Sequence, residues 1–93
     1  MVVPATRLTL LGKPGCHLCD DARNVVTRVL TGLADPASVS LEELSILDDA
    51  TLNEKYWDEI PVLLVNGNVH TIWRVDAERL VRALEKAQRD QDS

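Results

Sequence analysis

The run Pro61-Val62-Leu63-Leu64-Val65 has no polar break and is followed at once by Asn66-Gly67. Such a run reads as a strand buried on both faces, so the sheet that holds it must be covered on both sides. Asn-Gly is the strongest short hairpin signal, because both residues accept the left-handed backbone of a two-residue turn. Residues 69–73 are therefore expected to return antiparallel to 61–65. A chain of 93 residues can close only one apolar core. The covered sheet is expected to be the centre of a single domain, residues 1–93.

The other elements follow from periodicity. Arg7-Leu8-Thr9-Leu10-Leu11 alternates as a strand does and is stopped by Gly12 and the Pro14-Gly15 turn signal. From Cys16 onward Leu18, Ala22, Val25, Val26, Val29, Leu30 and Leu33 recur at steps of three and four, which draws one face of a helix ending at Gly32. Residues 34–56 carry two patterns. Val39-Ser40-Leu41 and Leu44-Ser45-Ile46 alternate like a strand, whereas Ser40 with Glu43 fits a capping box. Topology favours a strand over 39–47, because a helix after the first strand is normally the crossover to a parallel neighbour. Asp48 or Asp49 then caps a short helix through Leu52 and Tyr56, and Asp76 caps a last helix. In that helix Val75 and Leu80 form a staple, Leu80, Leu84 and Ala87 share a face to about residue 89, and Asp90 to Ser93 fray. The order β-α-β-α-β-β-α is an α/β fold with helices flanking a mixed four-stranded sheet.

Charge narrows the function. With 27% charged residues and a net charge of −5, the chain assembles no Lys/Arg cluster of the kind that binds nucleic acid. Residues 1–11 lack the pattern of a signal peptide, and no segment has membrane-spanning length. A cytoplasmic location is expected. In a reducing compartment two cysteines point to reactive chemistry or metal binding ahead of a static disulfide.

Those cysteines form Cys16-His17-Leu18-Cys19, placed where a strand, a Gly/Pro loop and a helix start meet. Unpaired backbone N–H groups and the positive end of the helix dipole favour a thiolate at Cys16. Lys13 and His17 act in the same sense, and Asp20 and Asp21 against it. Three-residue spacing puts Cys19 one turn further in, within reach of the Cys16 sulfur. Cys16 is expected to be the exposed, attacking sulfur and Cys19 the resolving one.

Taken together, strand-Lys13-Pro14-Gly15-Cys16-His17-Leu18-Cys19-helix, then Tyr56-Trp57-Asp58-Glu59-Ile60-Pro61-Val62-Leu63, then Asn66-Gly67, resemble the glutaredoxin-like branch of the thioredoxin superfamily over nearly the whole chain. The resemblance implies a three-layer thioredoxin/glutaredoxin-like fold and a dithiol thiol–disulfide oxidoreductase acting on protein or low-molecular-weight disulfides. It implies a cis peptide at Ile60-Pro61 beside Cys16, with the Ile60 backbone pairing to bound substrate. Substrate-contacting residues are then Lys13, His17, Ile60, Pro61 and Asp76, with no tightly bound cofactor beyond the redox-active Cys16–Cys19 disulfide and no metal. Familiar glutaredoxins hold glutathione with a Thr-Val pair before the proline and a Gly-Gly pair ahead of the last helix, where this chain has Glu59-Ile60 and Trp73-Arg74. The bulk of Trp73 and the acidic balance disfavour a dedicated glutathione pocket. Asp76 and the helix start behind it are the anchor that remains. Glutathione, a thioredoxin or a mycothiol-type system are the candidate reductants, and a monomer that binds neither nucleic acid nor membrane is expected.

Plainer readings stand beside these. A non-catalytic module could bind a partner protein or a metal through the same surface, with Cys16, Cys19, His17 and His70 as the soft or imidazole ligands. His17 could be a solvent-facing helix-start residue, His70 an outward strand residue, and Pro61 the first residue of a strand that needs no ladder donor. Trp57 and Trp73 read as packing or surface aromatics.

Overall fold

The apolar run at 61–65 does lie inside a sheet covered on both sides. In the computed structural model, which describes residues 6–92, the elements are β1 (Thr6–Gly12), α1 (His17–Thr31), β2 (Val39–Ser45), α2 (Ala50–Tyr56), β3 (Val62–Val65), β4 (Asn68–Ile72) and α3 (Ala77–Asp92). The strand order is β2-β1-β3-β4. β1 pairs parallel with β2 and antiparallel with β3, and β3 pairs antiparallel with β4.

Alternation along the strands divides the interior into two layers. On one side Leu8, Leu10, Val39 and Leu63 meet Ala22, Val26 and Val29 of α1 and Leu80 and Leu84 of α3. On the other, Leu11 and Val62 meet Ile46 and Tyr56, with Leu52, Ile60, Leu64 and Ile72 packed around them. Neighbouring residues of one strand thus feed different cores, which is why 61–65 tolerates no polar residue. Val62 and Leu63 are fully buried, and Leu64 and Val65 are half-buried. Each fully buried aliphatic side chain contributes about 1.5–3 kcal/mol relative to exposure.

Asn66 (φ 51°) and Gly67 (φ 84°) form the hairpin turn, both left-handed. The Asn66 amide donates to the Arg7 carbonyl (2.8 Å), and the Arg7 amide donates to Asn66 Oδ1 (2.8 Å). Val75 joins Leu80 in the first core, as a staple does.

The boundaries depart from sequence expectation in four places. β2 stops at Ser45 instead of 47, because Ile46–Asp48 tightens into a 3₁₀ turn whose Leu47 amide donates to Ser45 Oγ (3.2 Å). β4 ends at Ile72, and Trp73 leaves the strand with φ 68°. The helical backbone of α3 continues through Asp92, beyond the expected end near 89. A further 3₁₀ turn, Pro36–Ser38, leads into β2. Ser93 and residues 1–5, the start of the segment weighed as a signal peptide, lie outside the described residues. No described helix is long and apolar enough to cross a membrane.

Candidate active site

A row of residues crosses one end of the sheet and positions the cysteines. Gly12 lies opposite Ser45. The register Leu11↔Val62 brings Pro61 alongside Gly12, and the Trp73 amide donates to the Pro61 carbonyl (2.8 Å). The Lys13-Pro14-Gly15 loop turns through Gly15 at φ 76° and delivers Cys16 to the start of α1.

Cys16 is the N-cap of α1, in extended conformation (φ −100°, ψ 112°). Its sulfur takes the place of a capping hydroxyl: the Cys19 amide donates to Cys16 Sγ at 3.2 Å. Cys16 is half-buried, whereas Cys19 is 3% exposed, and both are free thiols. Burial pushes the Cys19 thiol up to about 11, its bond with Cys16 adds to this, and a hydrogen bond from the Lys13 amide opposes it. Cys19 rests against Gly12 so closely that a Cβ there would lie 2.9 Å from Cys19 Sγ.

Of the other predicted residues, Lys13 and His17 are exposed on the two sides of Cys16. Pro61 is buried, Ile60 is half-buried in the second core, and the Ile60-Pro61 peptide is cis, as the resemblance implied. Asp76 caps α3 through Oδ1, which accepts from the Arg79 amide (3.1 Å), and it lines a cavity of about 510 Å³ with His70, Arg74, Val75 and Arg79. Expected to face outward, His70 is instead half-buried with Nε2 enclosed and unpartnered. Burial lowers its pKa, and Arg79 adds to the shift. Among the described residues no three His, Cys, Asp or Glu side chains gather as metal ligands.

Three features escaped the sequence reading. Gly12 was read as a strand stop, and its contact with Cys19 depends on a register that only the sheet reveals. Arg23 donates to Asp20 (3.0 Å) and to Glu43 of β2, tying α1 to the sheet edge beside Cys19. Its spacing from Asp20 was legible, but its partner on β2 was not. Trp73 adds a bond from indole Nε1 to the Asp58 carbonyl (3.1 Å) to its amide bond with Pro61. A left-handed tryptophan leaves no mark in a sequence.

A family model for the glutaredoxin-like domain (DUF836) matches residues 7–85. The chain belongs to this glutaredoxin-like family. Its crystallographic relative XcR50 from X. campestris is 32% identical, with a TM-score of 0.67 over 85% of this chain and 96% of that one. Protein Ne2328 from Nitrosomonas europaea is 22% identical, with a TM-score of 0.71 over 89% of this chain and 94% of that one. Oxidised thioredoxin from Plasmodium falciparum, 13% identical with a TM-score of 0.56 over 88% of this chain and 80% of that one, shares the fold. The uncharacterized protein Rv0508 of Mycobacterium tuberculosis is 25% identical over 75 residues, 80% of this chain and 77% of its own length. The glutaredoxin-like chain therefore has a thioredoxin-like fold with a C-x-x-C pair at the start of its first helix.

Proposed function

We propose that this glutaredoxin-like chain is a dithiol thiol–disulfide oxidoreductase acting on protein or low-molecular-weight disulfides. The observation that carries the reading is the asymmetry of the pair: Cys16 sulfur caps a helix and accepts an amide, while the buried Cys19 thiol, pushed up to about 11, waits one turn behind. Cys16 thiolate attacks one sulfur of a substrate disulfide, forming a mixed disulfide and releasing the other sulfur as a thiolate that takes a proton from water. Cys19 then gives its proton to solvent and attacks Cys16 Sγ. The internal bridge forms, the second substrate sulfur leaves as a thiolate, and two electrons have passed from protein to substrate. A low-molecular-weight thiol or a reductant protein of the cell reopens the bridge.

In this reading Ile60 and Pro61 offer backbone to the substrate, Lys13 and His17 flank the attacking sulfur, and Asp76 at the start of α3 contacts the substrate. The protein would work in the cytoplasm as a monomer, with glutathione, a thioredoxin or a mycothiol-type system as reductant and no tightly bound cofactor. The test is reduction of insulin and of a small uncharged disulfide by the parent and by Cys16→Ser. The variant is expected to lose activity by at least a hundredfold. Equal activity of the two would overturn the assignment, as would a reduced protein that forms no internal bridge on oxidation. The reduction potential of the pair is expected to fall near the cytosolic poise, about −220 to −320 mV.

A further inference from the structure

We propose that Trp73 is a specificity-determining residue that selects disulfides in polypeptides bearing an apolar side chain beside the half-cystine and a basic residue nearby; this rests on the oxidoreductase reading above. Two hydrogen bonds hold the residue, from its amide to the Pro61 carbonyl and from its indole Nε1 to the Asp58 carbonyl. Both partners lie on the segment that leads into β3, so the indole stands fixed at the end of the same row that carries Gly12 and Pro61. Its left-handed φ of 68° is uncommon for a bulky residue and is strained, which the two bonds help to offset. The ring is nonetheless 53% exposed.

Leu18, two residues after Cys16, is 44% exposed. Trp73 and Leu18 line the same cleft of about 320 Å³, together with Ala22, Val25 and Val75. An exposed indole and an exposed leucine two residues from the attacking sulfur, in a cleft that also carries Asp21 and Arg74, suit an apolar side chain that arrives with the disulfide, in the way aromatic anchors organise other recognition sites. Charge sets the rest of the preference. Asp21 and Arg74 line the cleft, and Asp58 and Glu59 lie on the segment bonded to Trp73. None of these four side chains forms an ion pair among the described residues. The chain as a whole carries −5, so a cationic peptide is drawn in and an anionic thiol compound is repelled.

Single-turnover oxidation of the fully reduced protein tests this, with the protein's own two thiols as the only reductant. Synthetic peptides holding one internal disulfide, with Leu or Ser beside the half-cystine and Lys or Glu two residues on, are compared with bis(2-hydroxyethyl) disulfide. The Leu/Lys peptide is expected to oxidise the parent at least tenfold faster than the Ser/Glu peptide. Trp73→Gly and Leu18→Gln are each expected to shrink that ratio at least threefold, and Trp73→Phe, which keeps a ring, to retain most of it. Should Trp73→Gly fail to fold, the exposed Leu18 site and the peptide series on the parent decide the matter. A parent ratio within twofold of one, or a ratio unchanged in the folded variants, overturns the proposal. If the parent reacts with the small disulfide but shows no peptide preference, the oxidoreductase reading stands and this inference falls. A parent oxidised by no disulfide overturns both.

Discussion

Gly12→Ala adds one methyl group at the point where β1 meets the cysteine pair. The new carbon would sit 2.9 Å from Cys19 Sγ and 3.2 Å from Cys19 Cβ, well inside van der Waals separation, which for carbon is about 3.5–4.0 Å. Backbone strain plays no part, because Gly12 is not among the residues of positive φ. Relief by rotating the sulfur toward the cavity of about 450 Å³ that Cys19 lines with Gly12 and Lys13 costs the hydrogen bond that Cys19 accepts from the Lys13 amide. Overpacking of this kind costs about 1–3 kcal/mol. For a domain of this size each kcal/mol lowers Tm by about 4–8 °C. Urea unfolding of the reduced proteins should therefore show a lower midpoint at unchanged slope. Cys19→Ala in the same background removes the sulfur that the methyl group strikes, so a double-mutant cycle should recover at least about 1 kcal/mol of coupling. A Gly12→Ala cost below about 0.5 kcal/mol, within the range of ordinary surface changes, or a cost that Cys19→Ala leaves untouched, would refute the reasoning.

Other expectations follow from the same geometry. Iodoacetamide at pH 8 should label one thiol of the reduced native protein, Cys16, because the Cys19 thiol is buried and pushed up to about 11; mass spectrometry should find both labelled only after unfolding. Asp76→Ala should cost about 1 kcal/mol in urea unfolding by removing the α3 cap on the Arg79 amide, and a cost indistinguishable from zero would count against the cap. His70 has a lowered pKa in the folded protein, so between that value and the unfolded one, near 6.5, the unfolded chain binds more protons and stability rises with pH. The stability advantage of the parent over His70→Gln should accordingly shrink on acidification from pH 7.5 to 5, and an advantage constant across that range would be the contrary result.

Sequence patterns revealed most of the architecture because each element carried its own periodicity or punctuation. The α1 stripe, the Asn66-Gly67 turn and the Asp49 and Asp76 caps are local signals, and local signals survive without knowledge of the fold. The cysteine pair was equally legible, since strand, Gly/Pro loop and helix start are contiguous in the chain. What escaped depended on contacts between distant segments. The half-buried position of His70 depends on α3 residues Ala83 and Ala87 lying across a shared cavity from β4, and the tie from Arg23 to Glu43 on the pairing of β2 with β1. The shorter β2 reflects competition: Ser45 Oγ offers the Leu47 amide a local partner, and a hydroxyl at a strand end can draw backbone away from a ladder. Trp73 could be recognised as a departure from a glycine pair, but not as a residue pinned by Asp58 and Pro61.

Asn66 supplies both halves of a rung to β1, its amide to the Arg7 carbonyl and its side-chain oxygen to the Arg7 amide. The hairpin tip is thereby indexed against the central strand as well as between its own two arms. A one-residue slippage of β3 along β1 would exchange Leu63 for Val62 between the two apolar layers and carry Pro61 away from Gly12. One amide side chain at the far end of the sheet thus keeps the count that lets proline, glycine and the two sulfurs arrive at the same address.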